Sequence, residues 1–133
     1  MIEIERKFLV TSDAFKEASS KSIRIKQGYL SIDPLRTVRV RIKGDRGYLT
    51  IKGKSSTSGM SRVEVEEEIT IEKANVLLSL CLPGSIDKTR YEVTIGAHLW
   101  EVDEFYDANQ GLLLAEVELT SEDEQVTLPS WVG

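Results

Sequence analysis

Apolar and polar residues alternate with a period of two through most of the chain, and that period marks β-strands whose two faces differ chemically. Eight segments show it, at roughly 2–10, 22–31, 36–44, 47–54, 60–71, 86–96, 98–107 and 112–120. Turn-forming residues separate them: Asp33-Pro34, Gly44-Asp45-Arg46-Gly47, the serine-rich stretch 55–59, Pro83-Gly84, Gly96-Ala97 and Asn109-Gln110-Gly111. Connections this short make most neighbouring strands antiparallel. Three short helices are predicted as well: one capped by Ser12 that runs to about Ala18, one opened by Thr70 to Glu72 that continues through Leu82, and one opened by the capping-box spacing of Ser121-Glu122-Asp123-Glu124.

The polar positions of these strands are charged, and they are sorted by sign. Glu3, Glu5 and Lys7 share one face of the first strand, against Ile2, Ile4, Phe8 and Val10 on the other. Arg39, Arg41 and Lys43 alternate with Val38, Val40 and Ile42; Lys52 and Lys54 follow, then Arg62, Glu64, Glu66 and Glu68 against Val63, Val65, Ile69 and Ile71. Later strands add Lys88, Arg90 and Glu92, then Glu101 with Asp103, and Glu116 with Glu118. On a single antiparallel strand a charged face is ordinarily the solvated side. Here acids dominate the first, fifth, seventh and eighth strands and bases the third, fourth and sixth. If the strands close into a barrel with this face inward, the interior has an acidic wall opposite a basic one. Carboxylate oxygens are the ligands hard divalent cations prefer, and Lys and Arg from several strands can surround an extended polyphosphate.

Composition narrows the alternatives. The chain has 133 residues, 41% hydrophobic and 29% charged, as expected of one globular domain with no linker, repeat or low-complexity segment. A net charge of −5 argues against non-specific binding to nucleic acid or to acidic membranes. An outer-membrane barrel would also carry apolar residues outside, but Arg6, Glu67 and Glu104 interrupt the apolar face and the N-terminus has no signal-peptide pattern, so a cytoplasmic location is expected. Cys81 has no partner for an internal disulfide and is expected to be a buried helix cysteine. Apolar strips such as Val38-Val40-Ile42 and Val63-Val65 would lie outside the barrel, where they predict helix packing or a subunit contact, hence a homodimer.

Glu3-Ile4-Glu5-Arg6-Lys7, an E-x-E-x-K motif, resembles the signature of the CYTH family, the triphosphate tunnel metalloenzymes. So, in order, do Gln27-Gly28-Tyr29-Leu30, Val38-Arg39-Val40-Arg41, Leu49-Thr50-Ile51-Lys52, Ser61 to Glu66, Asp87 to Tyr91, Trp100 to Asp103 and Ala115 to Leu119. The resemblance implies an α+β fold dominated by β, an eight-stranded antiparallel tunnel with a few short helices outside, as a single domain over residues 1–133. It implies metal-dependent hydrolysis of a small-molecule triphosphate with Mg²⁺ or Mn²⁺, inorganic tripolyphosphate first. Alternatives are a class IV-type adenylate cyclase, a thiamine or nucleoside triphosphatase, and a non-catalytic polyphosphate-binding module. Carried onto this sequence, Glu3, Glu5, Glu116 and Glu118 resemble the metal carboxylates, with Asp103 as ligand or support. Lys7, Arg39, Arg41, Lys52, Lys88 and Arg90 resemble the phosphate clamp, Lys7 also acting in catalysis, and Glu64 and Glu66 the pair that holds a second metal or positions the attacking water. Lys54, Glu92 and Glu101 share the inward phase without an assigned role, Gln27 and Tyr29 are expected to be structural, and His98 is a turn residue. Members of this short bacterial type continue beyond the motif Pro129 to Gly133 with a polar segment and a C-terminal helix that plugs one end of the tunnel; a sequence ending at Gly133 is either cut short of that helix or a shorter protein with a more open tunnel, and the sequence leaves both readings open.

Overall fold

The computed structural model describes residues 2–133. Its strands are β1 (Ile2–Leu9), β2 (Lys21–Asp33), β3 (Arg36–Lys43), β4 (Arg46–Gly53), β5 (Ser61–Ile69), β6 (Ile86–Ile95), β7 (His98–Phe105) and β8 (Leu113–Glu118). They close into a barrel in the order β1-β5-β4-β3-β2-β6-β7-β8, every neighbouring pair antiparallel. The shortest seam joins β1 to β5. There, among the described residues, Ile2, Glu3 and Ile4 pair with Val63, Arg62 and Ser61 and the Glu5 N–H donates to the Met60 carbonyl, while Glu5 to Leu9 pair with β8.

Because the strands present charge inward, the apolar core lies outside the barrel wall. Trp100, Val102, Val93, Ala115 and Val117 point outward from β6, β7 and β8. They are covered by Phe15 of helix α1 (Ala14–Ala18) and by Leu119 and Trp131 of the C-terminal segment. Trp100 meets Trp131 edge-on at 5.9 Å and Phe8 at 5.4 Å, contacts that favour aromatic pairs beyond their burial. The segment is tied to the end of β1 by Thr11 N–H donating to the Trp131 carbonyl at 2.8 Å.

Helix α2 (Ile71–Ser79) covers β2, β3 and β4. Thr70 caps it, its hydroxyl accepting from the Lys73 N–H, as the sequence predicted. Close approach needs glycine beneath it: a Cβ on Gly47 would stand 2.7 Å from the Cβ of Ala74, and one on Gly28 would stand 2.9 Å from the Cβ of Cys81. Val40 is buried on this side, so part of the outer apolar strip serves helix packing. Ile2, Ile51, Val63 and Val65 remain 43–61% exposed.

Three expectations are corrected. The helix ends at Ser79, short of Leu82, and Cys81 lies half-buried just past it, its thiol donating to the Leu77 carbonyl. No helix follows Ser121: Glu124 accepts instead from the backbone N–H and hydroxyl of Thr120 and contacts His98, while Glu122 accepts from Ser56, Ser58 and Ser61. Acids already engaged across the fold leave no box to cap a helix, and the segment runs over the core without one. His98 is the first residue of β7 rather than a turn residue.

Candidate active site

Strand register decides which charges meet. Arg39 faces Thr50 on β4, and Thr50 faces Glu66 on β5; one step along, Thr37, Lys52 and Glu64 make the same row. The tunnel cavity, about 900 Å³, is lined by Glu3, Glu5, Lys7, Arg39, Arg41, Lys52, Glu64, Glu66, Lys88, Arg90, Glu116 and Glu118. Every candidate from the sequence is therefore at the cavity except Asp103, which lies beneath its surface and is 1% exposed. The end of the interior near Lys88 is apolar: Ile25 opposes Lys43 and Lys88 in register, Phe105 opposes Lys88, and the Lys88 ammonium stands 5.3 Å from the Phe105 ring centre.

The basic wall has two parts. On β6, Lys88 and Arg90 converge on Asp103, which accepts from Lys88 Nζ at 2.6 Å and from Arg90 Nε and Nη2 at 2.8 and 2.9 Å. Burial opposes the Asp103 charge, but Arg90 and Lys88 overcome it and hold the carboxyl below its ordinary range. Lys88 is pushed down to about 8, by burial first and then by Arg90 and Arg41, against the pull of Asp103. Both Asp103 oxygens are thus engaged by cations. On β3 the pattern is different. Arg41, 8% exposed, donates through Nε to the Gln27 carbonyl at 2.8 Å and has no carboxylate within ion-pair distance among the described residues. Burial and the nearby charges of Arg39 and Arg90 lower it to about 10. Arg39 donates to Thr50 at 3.3 Å and stands 3.7 Å from Glu66, and its buried Nε has no partner among the described residues.

The acidic wall comes from β1, β8 and β5. Glu5 opposes Glu118 and Lys7 opposes Glu116. Glu5 is raised to about 7, by burial first and then by the Glu116 charge. Lys52 bridges Glu3 at 2.8 Å and Glu64 at 3.4 Å. Burial would raise Glu3, but its hydrogen bond with Glu64 and the Lys52 charge lower it, whereas Glu64 is raised by burial and by Glu3. Among the described residues no three carboxylate, His or Cys side chains stand close enough to cage a metal alone. The chemistry still fits one hard divalent cation: the oxygens are carboxylates, Glu5 and Glu116 repel each other, and Mg²⁺ commonly takes one or two carboxylates and completes its shell with water and phosphate oxygens.

A model of the CYTH domain matches residues 1–133. The chain belongs to the CYTH family. It is 45% identical over 132 residues to an inorganic triphosphatase of Acetivibrio thermocellus, a match that covers 98% of this chain and 83% of that protein. A second inorganic triphosphatase, from Nitrosomonas europaea, is 33% identical over 138 residues, covering 100% of this chain and 87% of that protein. Among solved structures, the inorganic triphosphatase NE1496 superposes with a TM-score of 0.65 at 29% identity, over 98% of this chain and 86% of that one.

Within this CYTH barrel, the inward phase did not settle every residue. Lys54 lies past the end of β4 and is exposed, and neither it nor Glu92 lines the cavity, because the charged face outlasts the tunnel at both strand ends. Glu101 does line it, 3.4 Å from Arg90. Two bases were visible in the alternation without being assigned a role. Lys43 lines the cavity, as does Arg62, whose guanidinium donates to the Gly53 carbonyl at 3.0 Å and to Thr37 at 3.3 Å. Both continue the phase of neighbouring candidates, and that was the signal that marked them. Gln27 had no such signal, since a buried glutamine reads the same with or without an arginine opposite.

Proposed function

We propose that this protein hydrolyses linear triphosphates, inorganic tripolyphosphate foremost, with Mg²⁺ or Mn²⁺ held by Glu3, Glu5, Glu116 and Glu118. One observation carries the reading: a single cavity joins a carboxylate wall to a wall of bases from β3, β4 and β6. A polyanion binder has no need of the carboxylates, whereas metal-assisted hydrolysis does. The names of the two curated relatives support the same chemistry. A bound Mg²⁺ or Mn²⁺ would neutralise phosphate charge and polarise the phosphoryl group under attack.

The side chains of the tunnel supply the rest. Same-face residues two apart on a strand are separated by about 6.6 Å, so Arg39 and Arg41 reach successive parts of an extended phosphate chain. Lys52, Lys88, Arg90 and Lys7 approach it from other strands and stabilise charge moving onto the pyrophosphate leaving group. Glu64, raised by burial and by Glu3, and Glu66, which line the same cavity, would orient the attacking water and take its proton. Water adds to the terminal phosphorus as the bridging P–O bond breaks, releasing phosphate and pyrophosphate and one proton to the carboxylate or solvent. The test is phosphate release from tripolyphosphate, thiamine triphosphate, ATP and pyrophosphate, with and without Mg²⁺ or Mn²⁺. Tripolyphosphate is expected to be the best substrate. Undiminished turnover in EDTA, or conversion of ATP chiefly to cyclic AMP, overturns the proposal.

A further inference from the structure

The cations of the tunnel differ in what already neutralises them. Lys52 touches Glu3 and Glu64, Lys88 and Arg90 share Asp103, Arg90 also reaches Glu101, Lys7 stands 3.6 Å from Glu5, and Arg39 is 3.7 Å from Glu66. Arg41 is the buried exception. Its one side-chain partner among the described residues is Gln27, directly opposite it in the β2–β3 register, 4% exposed and accepting at 2.8 Å. The guanidinium has donors only, so the glutamine must present its carbonyl oxygen to Nε. That bond fixes the plane of the guanidinium while leaving its formal charge uncancelled, and the other side-chain nitrogens of Arg41 remain for a ligand in the cavity it lines.

We propose that Gln27 is a positioning residue that holds Arg41 by a neutral hydrogen bond, so that its whole charge is kept for the phosphate oxygens of the substrate. This rests on the function proposed above. A glutamate at this position would occupy nearly the same volume and accept from the same nitrogen, but would pair Arg41 as Asp103 pairs Arg90. The lowered pKa of Arg41, caused by burial and by Arg39 and Arg90, agrees with a site short of negative charge until an anion enters. A buried arginine without a counterion costs stability, and its neutral partner keeps that cost available to be relieved on binding.

A purely structural glutamine would move substrate binding and stability together. Gln27→Glu is expected to raise the melting temperature while weakening tripolyphosphate binding at least ~10-fold, measured by calorimetry in EDTA so that no metal contributes. Under turnover conditions KM is expected to rise more than kcat falls. Unchanged binding, or binding and melting temperature falling together, overturns the inference. If Gln27→Glu fails to fold, Gln27→Met decides: it removes the bond and keeps the arginine charge, so binding should weaken several-fold, and unchanged binding again overturns the inference. Wild-type protein that binds no tripolyphosphate would sink the proposed function itself. Normal wild-type binding with an unaffected variant sinks only the role of Gln27.

Discussion

The basic wall on β6 and the basic wall on β3 carry the same residue types but hold them differently. Lys88 and Arg90 are locked to Asp103, an acid buried behind them, whereas Arg39 bonds Thr50 with Glu66 only at 3.7 Å and Arg41 leans on Gln27, which carries no charge. The first group is a fixed part of the barrel wall in the absence of ligand. In the second, Arg41 is held by a neutral group alone and, on the proposed function, would gain its counter-charge from the substrate. Charge pairing that stabilises a fold and charge left open for a ligand compete for the same side chains, and this barrel divides the two between the strands on either side of β2.

The comparison breaks most sharply at Asp103. Replacing it with Ala leaves two buried cations without their acid, so we expect a loss of about 3–5 kcal/mol in stability by urea denaturation. Arg41→Met should do the reverse. It removes an uncompensated buried charge, so stability should hold or rise, while kcat/KM for tripolyphosphate falls by about 100-fold, or about 2.7 kcal/mol. A similar ratio is expected between substrates. On the proposed function, pyrophosphate would be too short to meet the proposed metal carboxylates and both basic walls together, so its kcat/KM should lie at least ~100-fold below that of tripolyphosphate. Initial-rate measurements on both check this, and equal rates would contradict a clamp spread over β3 and β6. Glu118→Gln keeps shape but removes one of the carboxylates proposed to hold the metal, and turnover at saturating substrate should drop more than ~10-fold with the melting temperature little changed.

The smallest effect belongs to a carboxylate outside the tunnel. Glu124 is lowered to about 2 by the Thr120 hydroxyl and backbone N–H and then by His98. A carboxyl whose folded pKa is depressed contributes stability that is fully present above its unfolded value near 4.5 and is lost as pH falls toward 2. Glu124→Gln should therefore flatten the acid side of a melting-temperature profile between those limits and leave it nearly unchanged at pH 7 to 8 relative to its own plateau. An unaltered acid limb would show that this contact contributes nothing to the fold.

How much of this was legible in the sequence follows from the range of the forces involved. Period-two alternation is local, so the eight strands were placed to within a few residues, and the inward phase located the lining carboxylates and bases. The cap at Thr70 was legible for the same reason, since its partner is three residues away. What failed was long-range. Ser121 to Glu124 has the local pattern of a helix start, but Glu122 and Glu124 are drawn to Ser56, Ser58, Ser61 and His98, partners far away along the chain. Asp103 was in phase with the tunnel, yet phase cannot say how deep a side chain lies or that two cations from the next strand will take both its oxygens.

The sequence by itself determined the period, the faces and the sign of charge on each, because neighbouring residues on one strand impose these. Only the tertiary structure decided which charges cancel. Register sets Gln27 against Arg41 and Asp103 against Arg90, and a shift of one residue would exchange an open cation for a neutral one while leaving the composition of every strand the same.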